Sequence, residues 1–393
     1  MFFWISKEPR AMMSQHTRYF HWSVDTDEGW QVSRTWDRFL IYKGYTDEGQ
    51  LPNRVWEIAD APWASIKGNF CILDIQDSGI RVIHNDCRSF PLWYDNQQGL
   101  TNLVPLTHSV WADSSVHINQ DLALTEIKHD IIGDLPQSTA LVNYVLDTID
   151  HILITKFKTF FEHNPLPVRI FLSGGIDTTL MWSYLHKLGI KHEVVLAEHL
   201  EFDKFWVRNH HRLTEQNWAY KQIHHWREPT VLVSGCPGDE FSLRNPGMAN
   251  MLSLCHDGRM LHECIETDDL HYYYFNSQKN RELFIQQRQD PEVAKLIRDP
   301  DTLNRHLLDR AANDHQHWHL GNTLTFTPMR DLVILKEFLS LPFDVMRSQM
   351  LNSKISRLLI ERNCPKALDI LSTQKNHENY LENLTCLLPL EVT

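Results

Sequence analysis

Apolar residues recur along this chain in two rhythms, and the change from one to the other divides it. Before residue 130 the apolar runs are short, and four of them predict strands: Gln31-Val32-Ser33, Phe39-Leu40-Ile41-Tyr42, Phe70-Cys71-Ile72-Leu73-Asp74-Ile75 and Ile80-Arg81-Val82-Ile83-His84. The last two flank Gln76-Asp77-Ser78-Gly79, whose Asp, Ser and Gly predict a hairpin turn. Pro91-Leu92-Trp93-Tyr94 opens a further extended piece. Together these predict an antiparallel, β-rich domain over residues 1–130. Residues 113–135 are mixed and polar, and Asp134-Leu135-Pro136 marks the expected boundary to a second domain over 137–393.

Beyond the boundary the period becomes helical. Leu141, Tyr144, Val145, Ile149, Ile152, Leu153 and Phe157 predict a helix over 139–161, capped by Ser138 or Thr139. Val168-Arg169-Ile170-Phe171-Leu172 then reads as a short buried strand, which Ser173-Gly174-Gly175 breaks. Leu180, Met181, Tyr184 and Leu185 resume helical spacing after Thr178, and Leu188-Gly189 closes that helix. His192-Glu193-Val194-Val195-Leu196-Ala197 is the next strand. Strand, helix and strand at this length form a βαβ unit, hence a parallel sheet with a right-handed crossover. A helical stretch over 213–226 leads to a third strand, Thr230-Val231-Leu232-Val233, which ends in Ser234-Gly235-Cys236-Pro237-Gly238-Asp239-Glu240. Helices are also predicted over 281–299 and 302–312. In such a sheet a ligand lies at the carboxyl ends of the strands, where both glycine-rich turns fall.

The first turn has the makings of a phosphate site. A helix N-terminus offers unpaired N–H groups and a partial positive charge, and glycine lets backbone approach an oxyanion closely. Ser173 and Thr178 add hydroxyl donors. Asp177 would repel phosphate directly, which points to a Mg²⁺ bridge. Asp239 and Glu240, on the second turn, can support the same ion. The Walker pattern is absent, because no lysine follows the glycines. An ordinary glycine-rich βα turn is the alternative, disfavoured because strand, Ser-Gly-Gly, Asp and hydroxyl occur in the order that phosphate binding requires.

Composition narrows this picture. A length of 393 residues and a hydrophobic content of 42% allow two domains with real cores. The net charge of −12 disfavours a nucleic-acid-coating surface. The cysteines, 7 in all, form no CxxC pair, and no apolar run approaches a membrane span, so a reducing, cytoplasmic setting without membrane partners is expected. His315, His317 and His319 alternate without a cysteine and read more simply as polar surface or pocket lining than as metal ligands.

Ser173-Gly174-Gly175-Ile176-Asp177-Thr178 resembles the pyrophosphate loop of the N-type ATP pyrophosphatases, which cleave ATP between the α and β phosphates and transfer AMP to an oxygen of the substrate. Ser234 to Glu240, at its distance downstream, is similar to the second loop of asparagine synthetase. Having both loops in order is more specific than either one alone. Pro328-Met329-Arg330-Asp331 and the helix beginning at Lys354 resemble later elements of that enzyme. Ile66 to Asp74 with Pro91-Leu92-Trp93-Tyr94 loosely resembles its glutaminase domain. The resemblance implies a doubly wound parallel sheet of the adenine nucleotide α-hydrolase type, preceded by a degenerate N-terminal-nucleophile (Ntn) domain. It implies ATP and Mg²⁺ as cofactors, with Leu172, Ser173, Gly174, Gly175, Asp177, Thr178, Ser234 and Gly235 at the nucleotide, Asp177 and Asp239 at the metal, and Asp239, Glu240 and Lys375 in catalysis. The substrates would be a small-molecule or peptide carboxylate and an amine; a homodimer is one arrangement it allows.

Two departures shape the expected activity. The glutaminase nucleophile is a cysteine directly after the initiator methionine; here position 2 is Phe2, and no cysteine precedes Cys71. β-Lactam synthetase and the lasso-peptide cyclases share this loss and form amides from an amine already present in the substrate. Leu324 stands where asparagine enzymes carry a glutamate, which argues against aspartate as the substrate. The expectation is an amide-forming ligase that works through an acyl-adenylate. The alternatives are a pyrophosphate-loop enzyme adenylating a nucleobase oxygen in tRNA or DNA, and a non-catalytic binding module. The purified chain should form no glutamate from glutamine; sustained glutamate formation in a coupled assay would reveal a nucleophile other than the expected one.

Overall fold

The structure, a computed structural model, describes residues 3–7, 15–17, 20–24, 29–61, 66–85, 87, 90, 92–101, 106–112, 114–172, 175–196, 228–257, 291–313 and 323–371. The fold is mixed α/β, with antiparallel sheets in the N-terminal part and a parallel sheet of four strands later. The N-terminal elements are β1 (Phe3–Ser6), β2 (Gln15–His16), β3 (His21–Val24), β4 (Gln31–Arg34), β5 (Arg38–Thr46), α1 (Leu51–Asp60), β6 (Gly68–Gln76), β7 (Gly79–His84), β8 (Trp93–Asp95), β9 (Gly99–Thr101), β10 (His108–Ser109), β11 (Ser114–Asn119) and β12 (Leu124–Lys128). They form two six-stranded sheets, ordered β10-β8-β9-β1-β3-β2 and β12-β11-β7-β6-β5-β4.

The central strands β5 and β6 of the second sheet are buried on both faces, and their period of two explains how. Ile41, Cys71, Leu73 and Ile75 pack with Phe3, Ile5, Trp22, Tyr94 and Leu100 of the first sheet. Their alternating neighbours Leu40, Tyr42, Phe70 and Ile72 pack against Leu51, Val55, Ile58 and Ala59 of α1. The predicted strands and the Asp77–Ser78 hairpin are present, while α1, β11 and β12 extend the expected picture. α1 carries its own helical signal in a proline at the start and apolar residues at 51, 55, 58 and 59.

The later elements are α2 (Val142–His163), β13 (Val168–Leu172), α3 (Ile176–Lys187), β14 (Glu193–Leu196), β15 (Thr230–Val233), α4 (Gly238–Phe241), α5 (Pro246–Asp257), α6 (Pro291–Leu296), α7 (Pro300–Asn313), β16 (Thr323–Phe326), α8 (Leu332–Leu339), α9 (Phe343–Asn352) and α10 (Lys354–Asn363). The sheet order is β14-β13-β15-β16, and every pairing is parallel. β13 and β15 have the predicted bounds. The expected cap of α2 does not form: Leu141 is the N-cap residue without a side-chain bond, and Ser138 Oγ instead donates to Leu339 O (3.1 Å). The predicted helix at 213–226 and the 281–290 part of another lie outside the described residues. Among the described residues no helix is long and apolar enough to cross a membrane.

One cluster of contacts between the two parts lies at the end of β16. Tyr45 packs edge-on against Phe160 (4.8 Å between ring centroids) and near Phe326, which stacks on Phe160 at 4.1 Å. Thr327 N–H donates to Tyr45 Oη (3.1 Å), and Asn69 Nδ2 donates to Thr327 Oγ1 (2.9 Å). Burial pushes the Tyr45 phenol up to about 12, which keeps it neutral at physiological pH.

Lys156 of α2 lies beneath this contact, only 12% exposed, with Asp47 and Asp331 each 2.9 Å away. Burial opposes the ammonium charge, but Asp331 and Asp47 outweigh it and hold the lysine well above its ordinary value. Burial likewise pushes the Asp331 carboxyl up; Lys156, Lys67 and the Val333 N–H outweigh that effect and hold it below the usual range. A depressed carboxylate contributes stability above its unfolded value of about 4 and loses it as pH falls through the folded value. Lys156→Met should therefore destabilise the chain by about 3–5 kcal/mol at pH 7, because two carboxylates lose their cation. The deficit should shrink as pH falls towards about 4, where Asp331 takes up a proton instead. Urea denaturation across that range checks both the size and the sign.

Candidate active site

The sheet order determines where a ligand can meet two loops at once. From β13 the chain runs outward to β14, crosses back to β15 and continues to β16, so the direction of winding reverses between β13 and β15. The two strands pair directly, Val168 with Val231 and Ile170 with Val233, and the loops that follow them leave the sheet side by side. A crevice at such a reversal is where open α/β sheets bind ligands.

The first loop runs from Leu172, buried at the end of β13, into α3. Ser173 and Gly174 lie outside the described residues. Gly175 is the N-cap residue of α3 with φ −71°, a backbone angle open to any residue. Asp177 occupies the first helical turn, and Thr178 Oγ1 donates to Gly175 O (3.1 Å). Between Gly175 and the glycines of the second loop, the steric requirement falls on the second loop. A Cβ on Gly235 would stand 2.6 Å from the Asp177 carbonyl carbon and 2.7 Å from the Thr178 nitrogen. A Cβ on Gly238 would stand 2.4 Å from Asp177 Oδ1. Glycine at both positions lets the second loop lie directly on the start of α3.

Short-range bonds shape that second loop. Ser234 N–H donates to Phe326 O (2.9 Å), which ties it to β16. Cys236 N–H donates to Ser234 Oγ (3.1 Å) and Gly238 N–H to Gly235 O (2.7 Å). The turn then enters α4, which carries Asp239 and Glu240. Glu240 is buried and accepts a hydrogen bond from Asn245 Nδ2 (3.1 Å).

Asp177 and Asp239 meet, as the motifs predict, but they meet at a guanidinium. Arg244 Nη2 donates to Asp177 Oδ2 and lies 2.6 Å from Asp239 Oδ1. The arginine is 5% exposed, against 22% for Asp177 and 36% for Asp239. Its Nε donates to Ser242 Oγ (3.1 Å) and its Nη1 to Ser353 Oγ (3.4 Å). Its backbone N–H returns to Asp239 O (2.8 Å). Gln349, fully buried, donates from Nε2 to Ser242 O (3.1 Å) and accepts at Oε1 from Ile355 N–H (2.7 Å), linking the loop to the α9–α10 corner.

Asp177 is already engaged in contacts between the two loops. One oxygen lies against Gly238 and the other is engaged by Arg244. Asp239 is the more open carboxylate of the pair and fits a metal better. Among the described residues, no group of three or more His, Cys, Asp or Glu side chains is arranged to hold a metal. Lys375 and the histidines at 315, 317 and 319 lie outside the described residues.

Sequence reasoning missed Arg244, Ser353 and Gln349. Arg244 had a readable signal: a cation within Phe241-Ser242-Leu243-Arg244-Asn245-Pro246, among apolar and small residues, is buried only if an anion meets it. The chain matches no protein-family model and no curated protein. Any functional reading therefore rests on the two loops themselves. Gly235→Ala should destabilise the fold by about 1–3 kcal/mol, because its methyl group meets backbone rather than a flexible side chain. Chemical denaturation checks this, and a variant as stable as the parent would show that the two loops do not touch.

Proposed function

We propose that this chain is an ATP-dependent, AMP-forming carbon–nitrogen ligase, similar to asparagine synthetase but independent of glutamine. The observation that carries the reading is the meeting of Asp177 and Thr178, which follow Ser-Gly-Gly in the sequence, with Gly235 and Gly238 of the second loop at the reversal between β13 and β15. On this reading the four parallel strands are the core of a doubly wound, adenine nucleotide α-hydrolase-like domain, and the antiparallel part is a degenerate Ntn scaffold.

In the proposed reaction the α3 N-terminus and the Ser173-Gly174-Gly175 turn bind the ATP phosphates through backbone N–H groups, with Thr178 and Ser234 nearby. A substrate carboxylate oxygen attacks the α-phosphorus. The α–β bridging bond breaks, pyrophosphate leaves, and an acyl-adenylate remains. An amine then attacks the acyl carbon, AMP departs, and the amine loses its proton to a base. Lys375 is the proposed cation that stabilises the charge developing in that second step. Mg²⁺ would neutralise the phosphates and would be held at Asp239, with Glu240 supporting the loop that carries it. The substrates are a carboxylate and an amine on small molecules or a peptide.

A second reading, adenylation of a nucleobase oxygen in tRNA or DNA, draws on one observation: Cys236 places a partly exposed thiol within the second loop. Exchange of labelled pyrophosphate into ATP, assayed against carboxylates, tRNA and DNA with and without glutamine, separates the two readings. Exchange that needs one carboxylate and ignores glutamine supports the ligase; exchange that needs nucleic acid transfers the assignment to the second reading. Asp177→Asn should lower the exchange at least about 100-fold. Unchanged exchange in that variant would remove the two loops from the reaction.

A further inference from the structure

Two carboxylates that reach one point from different loops repel each other unless a cation stands between them. Either a divalent ion or a guanidinium can fill that role. Here Arg244 fills it, and its surroundings are built to keep it in place. Ser242 and Ser353 accept from its Nε and Nη1, Asp177 and Asp239 share its Nη2, and its own N–H is bonded to Asp239 O. Ser242 is anchored in turn by Gln349, which lies in α9 and also bonds the first turn of α10. Withdrawing the guanidinium would leave two partly buried carboxylates without the cation they share.

We infer that Arg244 is the resident cation of the two loops, a positioning residue that occupies the place where a divalent ion would otherwise bridge Asp177 and Asp239. The catalytic meaning of this inference rests on the nucleotide-site reading above. Asp177 then acts through Arg244 and Gly238 rather than by ligating metal. The loops keep their register with no ion bound, and any divalent ion that accompanies a nucleotide meets the outer face of the pair, at Asp239.

The test is a titration of the full-length chain with Mn²⁺ alone, followed by the loss of the free-ion electron paramagnetic resonance signal. No nucleotide is present, so the result is independent of the proposed function. The parent chain and Arg244→Lys, which retains the charge, should bind Mn²⁺ no more tightly than about 1 mM. Arg244→Gln should gain a site at least about 10-fold tighter, and adding Asp177→Asn should abolish the gain. Submillimolar binding to the parent that Asp177→Asn weakens at least about 10-fold would overturn the inference, since the guanidinium would then yield to the ion. That comparison of parent with Asp177→Asn decides the matter even where Arg244→Gln fails to fold. If the parent binds no ATP by calorimetry, the nucleotide reading fails while the Mn²⁺ result stands.

Discussion

Adjacent parallel strands deliver their following loops within a few ångströms of each other, and here the backbone of one loop lies directly on the first helical turn of the other. Gly235 and Gly238 make that possible, because any Cβ at either position would overlap Asp177 or the peptide after it. The close approach brings Asp177 and Asp239 into reach of a single side chain. It also creates an electrostatic problem that Arg244 resolves. Ser242, Ser353 and Gln349 can then be understood as the supports of that arginine, and the α9–α10 corner as the element that brings them there.

The parts of this arrangement differ in how far they could be read from the chain. β13 and β15 were legible to the residue because both are short apolar runs punctuated by glycine, and buried parallel strands carry that signature. β16 was not, since Thr323-Leu324-Thr325-Phe326 alternates polar with apolar, as a strand with one solvated face does. Its threonines are nonetheless buried. β11 and β12 were missed for a related reason: polar residues outnumber apolar ones along their exposed side. α1 was overlooked because strands surround it, although its spacing is helical.

The site itself was half legible. Motif order predicted which loops would meet and which carboxylates would face each other. Arg244 could not be assigned a partner from spacing alone, because Asp177 lies 67 residues away and their meeting depends on the sheet order. The glycines of the second loop carry a demand that the motif alone did not reveal: Gly175 has an ordinary φ, while Gly235 and Gly238 are where a Cβ would meet the start of α3.

The N-terminal part reaches the parallel sheet at the carboxyl end of β16, through Tyr45 and Asn69 on Thr327 and through Asp47 on Lys156. It thereby behaves as a tethered ligand for the other half. Its local concentration is set by the connection between Lys128 and Val142 and not by how much protein is in solution.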